Sequence, residues 1–454
     1  MNKSWLAAIL LLGGCSLNPM LEKPSLPVAD RYALTNRSNA ADLGWHTLFR
    51  DVQLQHTIET ALQHNRDLRV ALLNVETVRA QYRIQHASAF PAIEGSASWS
   101  RQQLAESAAT RGIQQQGAAS INLSAYEIDL FGRVKSLSEA AYARYLASAA
   151  GARAAQITLV AAVANAWYSR QLATEQLQLS QQTLVDWQHS LQLARQLQTA
   201  NQSSGLDVAQ AEGQVASAEA DVEANQRALL RAGNALRLLV GNVAPLSAAQ
   251  STLEQAPVVT QLPAGLPSDL LTRRPDIMQA EQTLIAANAN IGAARAAFFP
   301  RITLTASLGQ ASPQLSQLFD GANQTWQFMP QITLPIFQGG RLQAELAVAK
   351  LKQSSALAEY EKSIQVAFRE VSDGVAGNVT YRQQMAAQQR VVSSAQRRMQ
   401  LSNQRYQAGL DNRLELLDAQ RQYYSARQGL LTLRQAEIDN AITLYKALGG
   451  GLKP

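Results

Sequence analysis

The sequence predicts a mainly α protein that carries a transmembrane β-barrel, and three observations lead there. From Val134 to Asn201 the chain has no proline and a single glycine, Gly151. Apolar residues return along it at helical intervals: Val160 and Trp167 lie seven apart, as do Leu177, Leu184 and Leu191, with Trp187 at the intermediate step. At 1.5 Å per residue this run is a rod of roughly 100 Å. Second, two pairs of short segments alternate apolar and polar residues, the period of a half-buried strand. Third, the pattern of rods and strand pairs occurs twice at a nearly constant offset.

The N-terminal residues set the compartment. Lys3 supplies a short positive region, Trp5 to Leu12 an apolar stretch too short to span a bilayer, and Leu12-Gly13-Gly14-Cys15 puts small residues before a cysteine. This resembles a bacterial lipobox. Residues 1–14 then read as a lipoprotein signal peptide and Cys15 as the lipidation site, with the covalent lipid the only non-protein group expected. Several acyl chains on one residue anchor stably where one does not. Ser16 rather than Asp follows, which fits export to the outer membrane; a chance cysteine after an ordinary signal peptide is the alternative. Cys15 is the only cysteine, so a disulfide framework and a Cys-based metal site are both excluded. The pI near 9.4 and formal charge of +6 bring nucleic acid to mind. Yet the Arg residues are scattered, with no polybasic run and no basic patch interleaved with aromatics, so no nucleic-acid partner is expected.

Residues 15–40 form a tether in which Pro19, Pro24 and Pro27 discourage helix. The first repeat, 41–241, begins with a helical pattern near Asp42 and one better-defined helix from Val52 to about Ala89, stopped at Phe90-Pro91. A strand pair follows within 90–130. In it Ile93, Ala97 and Trp99 alternate with Glu94, Ser96, Ser98 and Ser100, and Ile121, Leu123 and Ala125 with Asn122 and Ser124. Each strand is expected to be about ten residues long, with a polar loop from Gln102 to Ala119 between them. The long helix starts at Arg133, turns between Thr199 and Gly205, and returns from Leu206 to Val240. A linker, 242–267, rich in Pro and Gly, is expected to lie against the middle of the rods.

The second repeat, 268–449, retells this order. Helix Arg274 to Phe298 ends at Phe299-Pro300, and the strand pair 299–337 comprises Arg301–Gly309 and Thr325–Phe337. The second rod turns between Ser402 and Asn412 and returns from Leu414 to Leu448, leaving a tail of 450–454. Asp67 and Asp276, Phe90 and Phe299, Pro91 and Pro300, Ile93 and Ile302, and Ala97 and Ala306 are each 209 apart; Arg133 and Arg341, and Gly241 and Gly449, are 208 apart. The chain is therefore a tandem duplication.

Four strands cannot close a barrel, and open sheet edges are not tolerated in lipid. Outer-membrane barrels need eight or more strands, so several chains must contribute; three would supply twelve, closed by cyclic symmetry. A homotrimer is expected, with apolar strand faces toward outer-membrane lipid, Ser/Thr/Gln faces toward a lumen, and helices continuing the cylinder as a tunnel.

Several motifs carry a family resemblance. Leu130-Phe131-Gly132-Arg133, Arg274-Pro275-Asp276-Ile277, the run Ala289 to Pro300, Pro335-Ile336-Phe337 with Gly340-Arg341, and Leu416-Leu417-Asp418-Ala419-Gln420 resemble the outer-membrane factor family, the TolC superfamily. The match is to its OprM- and CusC-like lipoproteins and spans essentially the whole mature chain. The resemblance implies a trimeric TolC-type duct with a twelve-stranded β-barrel continuous with a twelve-helix periplasmic α-barrel. It also implies a periplasmic adaptor (membrane fusion protein) and an inner-membrane resistance-nodulation-division (RND) transporter as partners, and passive export of small toxic compounds, drugs or metal ions.

Enzymatic chemistry finds no foothold. His46, His56, His64, His86 and His189 form no ligand spacing, and Gly449-Gly450-Gly451 opens no helix as a phosphate loop does. The sharper candidate is the second turn. Asp411, Glu415 and Asp418 are spaced four and three, on one face if helical. In a threefold tube, such a face makes rings of carboxylates that repel or bind cations. The resemblance makes Glu415 and Asp418 the gate residues, with Tyr406 and Arg405 as latching partners. The alternative is an ordinary solvated face stabilised by Arg413 or Arg421. The tips, Gly205 and Leu206 in the first turn and Gly409 and Leu410 in the second, are expected to contact the adaptor. Tyr406-Gln407-Ala408-Gly409 matches the family pattern, whereas Gln202-Ser203-Ser204-Gly205 has no tyrosine. Two other readings remain: an exit duct for ABC-transporter-driven (type I) secretion, and a structural trimeric coiled-coil stalk. The stalk leaves the strands and the repeat unexplained.

Overall fold

The computed structural model describes residues 17–21, 28–29, 40–103, 113–242, 252–265, 267–408 and 410–453. The signal segment, Cys15 and Gly409 lie outside the described residues. The principal elements are α1 (Val52–His64), α2 (Arg66–Ala87), β1 (Ile93–Gln103), β2 (Ile113–Ile128), α3 (Arg133–Thr199) and α4 (Gly205–Val240). Then come α5 (Pro275–Ala296), β3 (Arg301–Ser312), β4 (Gln324–Thr333), α6 (Arg341–Gln407) and α7 (Arg413–Ala447). The halves match in length: α2 and α5 have 22 residues each, α3 and α6 have 67 each, and α4 and α7 have 36 and 35.

One compact unit comprises residues 1–25, 74–149 and 279–361, and contains the sheet. Its strands run antiparallel in the order β1-β2-β3-β4. Register aligns the faces across all four. Ile93 opposes Leu123, which opposes Ala306, which opposes Phe328; Ile121 opposes Leu308, which opposes Trp326. The other face is polar, with Glu94 opposite Asn122, Asn122 opposite Ser307, and Ser307 opposite Gln327. On it Asn122 donates to Ser96 Oγ at 2.9 Å. The apolar side chains are uncovered: Trp326 is 75 % and Phe328 61 % exposed, as befits a surface whose solvent is not water. At the base of the sheet Phe131 stacks on Phe299 with centroids 4.7 Å apart, and the largely buried Glu127 accepts from Arg133 (2.8 and 2.6 Å) and Arg301 (2.7 Å).

The strand boundaries correct the sequence expectation. Strand β2 has 16 residues, and 113–119, assigned above to a polar loop, is strand. It pairs with β1 throughout and, from Gly117 on, with β3 as well, so ladder hydrogen bonds hold it whatever its side chains. Within it Gly117 lies under the Trp99 ring, where a Cβ would come within 2.8 Å of the indole. At the other end, β4 stops at Thr333 rather than Phe337, before Pro335, which cannot donate to a ladder, and the left-handed Gly339 and Gly340.

The second unit comprises residues 26–73, 150–278 and 362–454. Its core holds Trp167, Tyr168, Leu236, Ile438, Ile442 and Leu444. Here the single helix expected from Val52 to about Ala89 proves to be two, because Asn65 breaks it in extended conformation (φ −62°, ψ 131°). The Asn65 Oδ1 accepts from Leu68 N at 2.8 Å, starting α2, while its Nδ2 donates to Leu239 O at 2.8 Å. Asparagine competes with the helix ladder in this way, and composition alone does not reveal it. Arg274, 209 residues on, does the same work by other chemistry: it donates to Ala447 O (3.1 Å), Asp276 (3.0 and 2.5 Å) and Glu370 (2.7 Å). The ends of the return helices also correspond. Gly241 (φ 69°) and Gly449 (φ 88°) are left-handed, and a Cβ on them would lie 2.5 Å from His64 O and 2.6 Å from Arg273 O. The linker crosses this unit, Leu253 N donating to Glu175 at 2.6 Å and Gln261 to Asn378 O at 3.2 Å.

Candidate functional site

The second hairpin turn gathers the predicted charges, in an arrangement that differs from a simple acidic face. Helix α7 begins at Arg413 because Asn412 caps it, its side chain accepting from Glu415 N at 3.1 Å. Asp411 therefore precedes the helix. Its carboxylate is held by a bidentate pair from Arg405 on the last turn of α6, Nε to Oδ2 at 2.7 Å and Nη2 to Oδ1 at 2.9 Å. That hydrogen-bonded guanidinium keeps Asp411 below the usual carboxylate range.

Glu415 and Asp418 meet a residue that sequence reasoning missed. Arg398 Nη2 donates to Glu415 at 2.7 Å and to Asp418 at 3.0 Å, and its Nη1 to Gln422 at 2.5 Å. A signal was present: Arg398 and Arg405 are seven apart on one helix, Asp411 and Asp418 seven apart on or next to the other. Folded back about position 408, the two rows fall into antiparallel register. The result is a ladder of two guanidinium groups and three carboxylates, and all but Asp418 line an open cleft of about 620 Å³ with Ser394, Arg397 and Asn412. All of these pairs are solvent-accessible.

The alternative cations fare unequally. Arg421 reaches Asp418 only at 3.8 Å. Arg413 turns away and is buried, donating to Ser190 O at 2.9 Å and Oγ at 3.0 Å on α3. Tyr406 is half-buried on the last turn of α6. Leu410, at the crest, is 68 % exposed.

The first turn is built otherwise. Ser204 caps α4 and closes a capping box: its hydroxyl accepts from Asp207 N, and the Asp207 carboxylate accepts from Ser204 N at 3.0 Å. Ser203 Oγ adds 2.9 Å to the same carboxylate. The Ser204 N–H above all keeps Asp207 below the usual range. Gly205 and Leu206 are exposed, Leu206 by 66 %. Beneath both turns Trp187 of α3, Ala218 of α4 and Leu417 of α7 form one buried cluster with Leu184 and Val215.

Among the described residues, no group of three or more His, Cys, Asp or Glu side chains is placed to hold a metal ion. His46 stacks on Trp45 and His86 packs on Tyr82 and Phe90.

Comparison with known proteins bears on this geometry. The profile of the outer membrane efflux protein family matches twice, over residues 57–242 and 266–450. The probable efflux pump outer membrane protein TtgC of Pseudomonas putida is 45% identical over 465 residues, covering 99% of this chain and 96% of that one. The cation efflux system protein CusC of Escherichia coli K12 is 43% identical over 450 residues, covering 97% of each. Among solved structures, the open state of the Neisseria gonorrhoeae MtrE outer membrane channel superposes with a TM-score of 0.89 at 38% identity, covering 97% of this chain and 99% of that one.

Proposed function

Because the chain belongs to the outer membrane efflux protein family and is an efflux duct of the outer membrane, we propose that three copies close one barrel and pass small toxic compounds outward. The observation that carries the trimer is the sheet itself. Among the described residues of one chain β1 and β4 each pair on one side only, leaving two long edges that lipid cannot solvate. Joined edge to edge, three such sheets make twelve strands with the apolar face outward.

Cys15 carries the lipid that holds each chain to the membrane. The exposed turns, Gly205 and Leu206 with Gly409 and Leu410, receive a periplasmic adaptor, and an inner-membrane RND transporter supplies the energy. The duct itself is passive and performs no chemistry on its cargo. At the second turn the ladder of Arg398 and Arg405 with Asp411, Glu415 and Asp418 is the latch of a periplasmic gate. In a trimer it recurs three times around the axis, where the carboxylates either stay paired or face one another.

The relatives differ in cargo by name, an efflux pump protein in one case and a cation efflux protein in the other. A strain lacking this chain, challenged with antibiotics, dyes, organic solvents and copper or silver salts, is expected to be sensitised to at least one class, which identifies the cargo. Unaltered tolerance to all of them overturns the efflux reading.

A further inference from the structure

The residues just after the anchor are seated, and the seat is made from both repeats. Asn18 Oδ1 accepts from Ser136 Oγ at 2.8 Å, and its Nδ2 donates to Glu139 at 2.6 Å, both on the first turns of α3. On either side the main chain is held by α5: Asn288 Nδ2 donates to Pro19 O at 2.9 Å, and Arg295 donates to Leu17 O at 3.1 Å. Between these two on α5 stands Gly292, where a Cβ would fall 1.7 Å from Asn18 Oδ1. Any side chain at 292 occupies the place of the asparagine.

The duplication offers a second seat and withholds it. Offset by 209, Gly292 corresponds to Arg83, Asn288 to Arg79 and Arg295 to His86; offset by 208, Ser136 and Glu139 correspond to Ala344 and Ala347. Every group that grips the segment in one half is replaced at the corresponding position of the other, so among the described residues the duplication builds this groove once. Both ends of one amide side chain are used, two main-chain carbonyls are read, and a glycine clears the space. That is peptide recognition, beyond the requirements of a loose tether.

We propose that Leu17–Leu21 is a strut, bound in a site on α3 and α5 that recognises Asn18, and that this site fixes where the anchor enters the membrane. Two residues of extended chain reach about 7 Å, so a seated Leu17 leaves Cys15 only that much freedom. The position of the anchor is thereby tied to α5 just before Phe299-Pro300 and the start of β3. This consequence rests on the acylation of Cys15 proposed above; the seat does not.

The test uses the full-length protein in detergent with a nitroxide on Met20→Cys, a side chain 91 % exposed and next to the held Pro19 carbonyl. In the otherwise unaltered chain the spectrum is expected to show a slow, restrained label. Asn18→Asp sets a carboxylate against Glu139, and Gly292→Val fills the groove; both are expected to release the segment to the fast motion of a free chain end. Adding Glu139→Gln to Asn18→Asp restores a donor–acceptor pair and is expected to restore the slow spectrum, which a merely disturbed fold does not. Equal spectra for the parent, Asn18→Asp and Gly292→Val overturn the seat, as does failure of the double variant to recover. The chain without an added cysteine reports separately on the anchor: nitroxide uptake there means a free Cys15 thiol and overturns acylation, while leaving the seat readable by difference at position 20.

Discussion

The two hairpin turns occupy equivalent places in a duplicated chain, yet they are stabilised by opposite means. The first is saturated locally. Ser204 and Asp207 satisfy each other's main-chain N–H groups, and one ion pair, Arg195 to Glu212 at 2.8 Å, braces the helices behind it. Its cap is closed between Ser203 and Asp207. In the second turn, beside the local Asn412 cap, the charged donors and acceptors come from opposite helical arms, and Arg398 divides one guanidinium among Glu415, Asp418 and Gln422. Solvent-exposed pairs of this kind contribute little to folding and are screened by salt. A capping box holds a helix end; a shared, exposed cation can be exchanged for another. The two turns of the duplicated chain are thus closed differently, the first by a capping box and the second by guanidinium groups shared across its arms.

The largest effect is expected where the comparison disappears. Trp187, 6 % exposed, packs against Ala218 and Leu417 under both turns. Trp187→Ala leaves a cavity shared by three helices and is expected to cost about 3–5 kcal/mol, lowering the denaturation midpoint and exposing both turns to protease together. Protection of one turn but not the other would show that the cluster does not serve both.

Much of this was legible in the sequence. Helix and strand order, the offset and the positions of both turns follow from periodicity, since a long amphipathic element repeats its signal many times. Single-residue decisions do not. Asn65 is tolerable inside a helix by composition; its two hydrogen bonds to Leu68 N and Leu239 O make it a break, and the second partner is 174 residues away. Residues 113–119 lack alternation yet form strand, because β1 pairs with all of them, β3 joins from Gly117 on, and Gly117 makes room for Trp99. At the gate candidate the carboxylates are readable from their spacing, whereas Arg398 is not. A cation's partner across a hairpin is visible only when both arms are written in antiparallel register. The Ser204–Asp207 box was readable, being a serine three residues before an aspartate at a helix start.

That box yields a smaller, local effect. Ser204→Ala is expected to cost about 1 kcal/mol, read as faster amide exchange at Asp207 and Val208. Channel conductance in a planar bilayer is expected to stay at the parent value. A change in conductance would mean that the first turn also gates.

The smallest effect on folding sharpens the comparison most. Arg398→Ala removes one exposed cation, so the unfolding midpoint is expected to move little. Glu415 and Asp418 are then left without their shared partner, and across a threefold axis their like charges repel. Single-channel conductance is expected to rise, as it is for Glu415→Ala combined with Asp418→Ala, whereas Arg195→Ala at the first turn leaves it unchanged. Salt and pH are expected to act differently on the ladder. The Asp411 carboxyl lies below its ordinary range, so its pairing with Arg405 is complete above that range and is lost only as pH falls through the lowered value. Going from pH 7.5 to 5 is therefore expected to leave Asp411 ionised and the Arg405 pair in place. Raising the salt weakens all the exposed pairs together and opens the parent channel toward the conductance of Arg398→Ala. If that variant conducts like the parent at every salt concentration, the ladder is a solvated surface and the gate lies elsewhere.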